Sequence, residues 1–324
     1  MSADKAREII DRAMADRSVY DAMAALENEV WGKILLERDQ SDLAIEDTKA
    51  GATLGISRNC SSLCHVANEK GLTFGHGLTL GCGAGRCERD LISRGVGLSF
   101  HGIDISERAI AKAREIAKEQ NLPLTYEMAD LNFVRLPEKT FDLVVAQTCL
   151  HHILFLEHVA EQVWHSLKGT GYLWIHDFIG ETQFQYDPKR VSIANTILRV
   201  LPEKLKKNRI TGQLVGEIKP REPGHLCSPF ESIRSSEIVR VFQRWFTIEW
   251  KIEFDAFLRL VVPPGTRAGY LENEDTMALF EALMLLDQLC IDQGIVKPTG
   301  GQYLMRPRSL DEISREEGAM DPVK

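Results

Sequence analysis

Three groups of residues have the types and spacing to do chemistry. The first is Leu78-Thr79-Leu80-Gly81-Cys82-Gly83-Ala84-Gly85-Arg86, an apolar run that breaks into glycine at every second position. Glycine accepts positive φ and lets the backbone approach a ligand. A helix starting there offers free N–H groups and the positive end of its dipole. A dinucleotide fingerprint needs its third glycine one residue later. That position is Arg86, so the G-x-G-x-G spacing weakens the pyrophosphate reading.

The second group is a pair of carboxylates. Asp104, in His101-Gly102-Ile103-Asp104-Ile105-Ser106, can accept hydrogen bonds from both hydroxyls of a ribose. Asp130, in Met128-Ala129-Asp130-Leu131, can accept from an adenine amino group while apolar neighbours cover the ring. The plain alternatives are a helix-capping acid and a turn residue. The third group is His151-His152 and His176-Asp177, each following an apolar run. Any of the four can take a proton from a reacting group, or simply order a loop.

These residues need elements that bring them to one edge. Short apolar runs near 77–80, 99–104, 124–128, 141–147 and 171–177 read as strands. Amphipathic stretches near 86–95, 106–120 and 155–168 read as helices between them. Strand–helix alternation predicts a parallel sheet with right-handed crossovers, so all three groups fall at strand carboxyl ends. Val144 and Val145 suit a strand buried on both faces. Ser106 reads as the cap of the next helix.

As an ordered set, these segments resemble the class I S-adenosylmethionine-dependent methyltransferases of the small-molecule-modifying bacterial type. The resemblance rests on L-x-L-G-C-G-x-G, G-I-D-I-S, A-D, F-D-L-V-V, L-H-H and the L-K-x-x-G-x-L at Leu167–Leu173, and it covers about residues 76–177. It implies an α/β fold: a doubly wound, Rossmann-like, seven-stranded, mostly parallel sheet. It also implies S-adenosyl-L-methionine as cofactor. Thr79, Gly81, Cys82, Gly83 and Gly85 would line its methionine end, Asp104 and Ile105 its ribose, Ala129, Asp130 and Leu131 its adenine. Gln147 would lie beneath it. One position departs from the family, since Thr79 stands where an acid is usual. It keeps a hydrogen-bonding group without the charge, leaving either weaker cofactor binding or a substitute carboxylate elsewhere.

The remaining chain divides into an N-terminal helical segment (1–70), the cofactor-binding core (71–180), an inserted helical lid (181–230), a completion of the core with an added helix (231–308) and a frayed polar tail (309–324). Residues 51–75 read as a loop or short connecting helix, and 231–244 as a helix. Strands are expected near 246–255 and 301–306, with a helix over 273–293. Tyr20, Gln183, Tyr186 and Arg221 are candidate substrate or lid residues. A stretch similar to 178–186 occurs in a bacterial subgroup of the family, with arginine at the position of Gln183.

With 324 residues, 44% of them hydrophobic, the chain can bury a large core; its net charge of −8 disfavours a nucleic-acid partner. The expected partner is a small-molecule methyl acceptor, with no membrane and with a homodimer allowed. Seven cysteines without framework spacing, and a charged start unlike a signal peptide, suggest reduced thiols in a cytoplasm. Cys60, Cys64 and His65 do not form a zinc signature, and no metal is expected. The competing readings are a non-catalytic S-adenosylmethionine-binding protein, an NAD(P)-dependent oxidoreductase, and a methyltransferase acting on nucleic acid or protein.

Overall fold

The computed structural model describes residues 2–38, 61–224 and 226–319. The chain begins with α1 (Ser2–Ala15), α2 (Arg17–Arg38) and α3 (Ser61–Lys70). The core follows as β1 (Phe74–Leu80), α4 (Arg86–Ser93), β2 (Gly97–Asp104), α5 (Glu107–Glu119), β3 (Leu124–Met128), β4 (Phe141–Gln147), α6 (Leu156–Ser166) and β5 (Leu167–Phe178). Next come α7 (Pro188–Val200), α8 (Glu203–Lys206), α9 (Ile238–Gln243), β6 (Phe246–Phe254), α10 (Leu258–Val261), α11 (Arg267–Tyr270), α12 (Glu274–Asp292), β7 (Gly300–Pro307) and α13 (Leu310–Ala319).

The seven strands form one sheet in the order β3-β2-β1-β4-β5-β7-β6. β7 runs antiparallel to both neighbours, and the pairings from β3 to β5 are parallel. This is the expected mostly parallel, doubly wound sheet. The apolar runs explain it. Leu143, Val144, Val145 and Ala146 of β4 are fully buried. Val144 and Ala146 pack into one layer with α6 and α9, while Leu143 and Val145 pack into the other with α3 and α4. Burying a Val or Leu side chain contributes about 1.5–3 kcal/mol, so a central strand apolar on both faces anchors both layers.

A third apolar cluster joins α7, α10 and α12 beyond the sheet edge. Asp187 caps α7 by accepting from Lys189 N, with Pro188 in the first turn, and Asn273 caps α12 through Thr276 N. Among the described residues no helix is long and apolar enough to cross a membrane.

Within 51–75 the connecting-helix alternative holds for residues 61–70, because Leu63, Val66 and Ala67 share one face and bury it against Phe74, Leu91 and Leu143. Other elements differ from the sequence-based expectation. Residues 231–244 are not one helix: turns through Arg234 precede a short 3-10 turn and α9. The tail carries helix α13. Cys87 is disulfide-bonded, so reduced thiols throughout do not hold. The sequence-based expectations for residues 39–60, Cys60 included, lie outside the described residues.

Candidate active site

The chain steps from β1 outward through β2 and β3, then returns to the other side of β1 as β4. Connections therefore leave β1 and β4 in opposite directions, and a crevice opens at their carboxyl ends. A cavity of 1370 Å3 occupies it.

The glycine turn forms one wall. Gly81, Gly83 and Gly85 have φ of 60°, 53° and 75°, values that side chains rarely adopt. Packing adds to the constraint at Gly81, where a Cβ would sit 2.4 Å from Cys149 Cβ. At Gly85 it would sit 2.2 Å from the Tyr126 hydroxyl. Gly85 itself faces Tyr126 and does not line the cavity; Thr79, Gly81, Cys82 and Gly83 do.

Asp104 ends β2. Its Oδ2 accepts from Gly83 N at 2.8 Å and its Oδ1 from Ser106 N at 2.8 Å. Burial pushes its carboxyl above the ordinary range, against the two N–H groups that hold it down. Each oxygen keeps a lone pair, enough for two hydroxyls. Ser106 caps α5 by accepting from Ala109 N.

Asp130 follows β3. Its Oδ1 accepts from Asn132 N at 2.9 Å, and its Oδ2 accepts from the Tyr20 hydroxyl at 2.6 Å. Asp130, Leu131, Ile105 and Gln147 line the cavity, whereas Ala129 does not.

At the other end, β4 and β5 place the histidines. Asp177 is fully committed: Oδ2 accepts from Cys149 N and Leu150 N, and Oδ1 from Phe178 N. Oδ1 also meets His151 Nδ1 at 2.5 Å. Asp177 therefore orients His151, and with four donors on one carboxylate it is a positioning group. Burial pushes the His151 pKa down, but the Asp177 carboxylate outweighs it and the imidazole sits above its ordinary value. His152 Nδ1 lies 2.8 Å from Glu27 Oε1 of α2, without hydrogen-bond alignment. His176 lines the same cavity and meets Phe254 edge-on.

Two of the four candidate substrate residues line the cavity, Tyr186 and Arg221. Tyr20 does not: it is buried among Phe133, Phe155 and Phe230 and belongs to the Asp130 end. Gln183 does not either. It holds the loops together, donating to Glu231 O and accepting from Gly224 N.

Other residues complete the site. Glu231 is buried with its carboxylate 3.7 Å from His151 Nε2 and 3.8 Å from His152 Nε2. Burial raises its pKa, but the two imidazoles outweigh this and hold it below the ordinary carboxylate range. Arg86 lines the glycine wall with Nη1 buried and unpartnered among the described residues. Arg259 stands over Phe178 at 5.0 Å and lines the cavity. Beneath the turn, Glu88 of α4 is fully buried beside Thr79, and burial pushes its carboxyl up to about 7. An acid therefore stands behind the turn, nine residues beyond Thr79, with neither oxygen in an aligned hydrogen bond among the described residues. No local pattern marks Glu27, Glu231 or Arg259; Glu88 alone carries a hint, as an acid in the first turn after the glycines.

Residues 78–171 match the methyltransferase-domain family. That match, with the glycine turn and the two strand-end carboxylates, makes this segment a methyltransferase domain of the class I S-adenosylmethionine-dependent type. Among curated relatives, the chain is 34% identical over 108 residues to a mitochondrial arginine-hydroxylase of Rattus norvegicus, a match over 33% of this chain and 30% of that one. It is 27% identical over 164 residues to the 27-O-demethylrifamycin SV methyltransferase of Amycolatopsis mediterranei, over 49% and 57% of the two chains. The chain thus spans about a third of the first relative and over half of the second. Among solved structures, a Haemonchus contortus phosphoethanolamine N-methyltransferase determined with S-adenosyl-L-methionine is 16% identical, with a TM-score of 0.44, over 76% of this chain and 52% of that one.

S-adenosylmethionine is the cofactor of this family, and the residues present fit it. The turn presents Gly81–Ala84 at the cavity, and beside it Arg86 Nη1 is a buried donor without a partner among the described residues, suited to a carboxylate. Asp104 and Asp130 keep open lone pairs on the same rim.

Proposed function

We propose that this protein moves the methyl group of S-adenosylmethionine to an N, O or C atom of a small-molecule acceptor, by in-line displacement inside the cavity. One observation carries the reading. A single cavity joins the glycine wall and the two rim carboxylates to a buried cluster of His151, His152 and Glu231.

When bound, the cofactor supplies a methyl group on a sulfonium. The chain's own residues hold and activate the acceptor. His151, fixed by Asp177, presents Nε2 to the cavity as a proton acceptor for a hydroxyl or ammonium. Phe178, Phe184 and Tyr186 keep that region apolar, which limits water at the reacting atoms. Arg221 and Arg259 stack on Phe184 at 5.3 and 5.9 Å. Two guanidiniums beside one ring suit an acceptor carrying a carboxylate or phosphate.

The arginine-hydroxylase named among the relatives matches over a third of its length, so what it contributes to this reading is a shared cofactor cleft. The test is incubation with methyl-labelled S-adenosylmethionine and fractionated metabolites rich in anionic compounds. Label should move to a fraction retained on anion exchange. Cofactor binding with no labelled product from any fraction would favour the non-catalytic reading.

A further inference from the structure

The acceptor end of the cavity holds an arrangement that proton transfer does not require. Three potential ligand atoms, one each from His151, His152 and Glu231, lie within 4.8 Å of one another. The imidazole Nε2 atoms stand 3.7 and 3.8 Å from the Glu231 oxygens. Those gaps are too long for hydrogen bonds, which close at about 2.7–3.2 Å. Zinc–ligand bonds of about 2.1 Å at a tetrahedral angle would separate ligand atoms by about 3.4 Å. The two imidazole–carboxylate gaps are a few tenths of an ångström wider than that, so small side-chain shifts would close them on an ion.

Proton placement points the same way. Asp177 Oδ1 accepts a hydrogen bond from His151 Nδ1, which turns Nε2 toward Glu231. The Glu27 carboxylate beside His152 Nδ1 favours the same tautomer there. Glu27 is itself pinned by Phe230 N, Ser228 Oγ and Trp31 Nε1. Neither ring nitrogen of His152 has an aligned hydrogen bond among the described residues. Two ring nitrogens and a carboxylate therefore converge in a partly buried space at separations that direct hydrogen bonds do not close, and a cation between them would meet all three. Carboxylates behind imidazoles are also how metal-binding histidines are usually oriented.

We propose that His151 Nε2, His152 Nε2 and Glu231 form a binding site for a divalent transition-metal ion of the zinc class, with Asp177 and Glu27 orienting the two rings. Two imidazoles and one carboxylate suit that class and leave a coordination position open toward the cavity. An ion there would bind an oxygen or sulfur of the acceptor and lower its pKa, replacing His151 Nε2 as the activating group. Its ligands are distinct from Thr79, Gly83 and Asp104, although all line one cavity.

The experiment is a cobalt(II) titration of the chelator-treated full chain, followed by visible absorption. One equivalent should give ligand-field bands, and zinc should remove them. Glu231→Gln and His152→Gln should each weaken cobalt binding at least ten-fold while leaving the circular dichroism unchanged, and Glu27→Gln should weaken it less. Absence of bands in the folded wild-type chain overturns the proposal. So do bands that persist unchanged in both folded variants, since cobalt would then sit elsewhere. If a variant fails to fold, the wild-type titration still decides. S-adenosylhomocysteine binding, measured on the same sample, separates the two readings: cobalt bound without it would remove the methyltransfer proposal alone.

Discussion

The Tyr20 hydroxyl donates to Asp130 Oδ2 at 2.6 Å, tying the second helix to the loop after β3 across 110 residues. Burial and the Asp130 carboxylate both push the Tyr20 pKa up, so the hydroxyl stays a donor. Tyr20→Phe keeps the ring packed on Phe133, Phe155 and Phe230 and removes only that bond. A hydrogen bond to a charged group is worth about 1.5–3 kcal/mol. The variant should lose about that much stability in urea and bind S-adenosylhomocysteine more weakly by calorimetry. Unchanged affinity would separate Tyr20 from the adenine end.

Asp104 holds Gly83 N and Ser106 N while facing the cavity. Asp104→Asn replaces an acceptor with a donor toward one of those N–H groups. S-adenosylhomocysteine affinity should fall roughly 10- to 100-fold by the same magnitude of charged hydrogen bonding. A dissociation constant within two-fold of wild type would remove the ribose role.

Gly81→Ala places a methyl group against Cys149 at a φ of +60°. Backbone strain and overpacking together should cost about 2–4 kcal/mol. Denaturant titration reads this directly, and a stable variant would mean the turn can relax.

Much of this half of the site is legible in the sequence, because each part is local. Gly81–Gly85, Asp104 and Asp130 sit at strand ends within a few residues of their own signals. The acceptor half is not. Glu27, His152 and Glu231 come from three distant segments, and their meeting depends on how α2 and the 228–234 turns pack. Periodicity reports which face of an element is apolar; it carries no record of which polar residues converge after packing. Tyr20 and Gln183 illustrate the same limit, since a polar residue in a plausible segment can serve the scaffold instead.

Glu88 gives a pH signature. Its folded pKa lies near 7 against 4.5 for the ordinary carboxyl. A raised carboxyl pKa means the folded state prefers the protonated form. Its contribution to stability is complete below pH 4.5 and is lost as pH climbs to about 7. Wild type should therefore lose stability between pH 5 and 8, on the order of 2–3 kcal/mol from this group, and Glu88→Gln should lose less. Parallel urea midpoints for the two proteins would reject the assignment.

Arg259 faces the cavity beside Phe178 and Phe184. Once an acceptor is identified, Arg259→Gln should raise its KM several-fold with kcat little changed, the pattern of lost ground-state binding. A fall in kcat at constant KM would place Arg259 at the reacting atoms instead.

Tyr20 and Glu27 belong to one helix and stand seven residues apart, two turns along the same face. The first reaches the nucleoside rim and the second reaches His152. One helix therefore braces both ends of the cavity, so any displacement of α2 along its axis shifts the Asp130 and His152 contacts together.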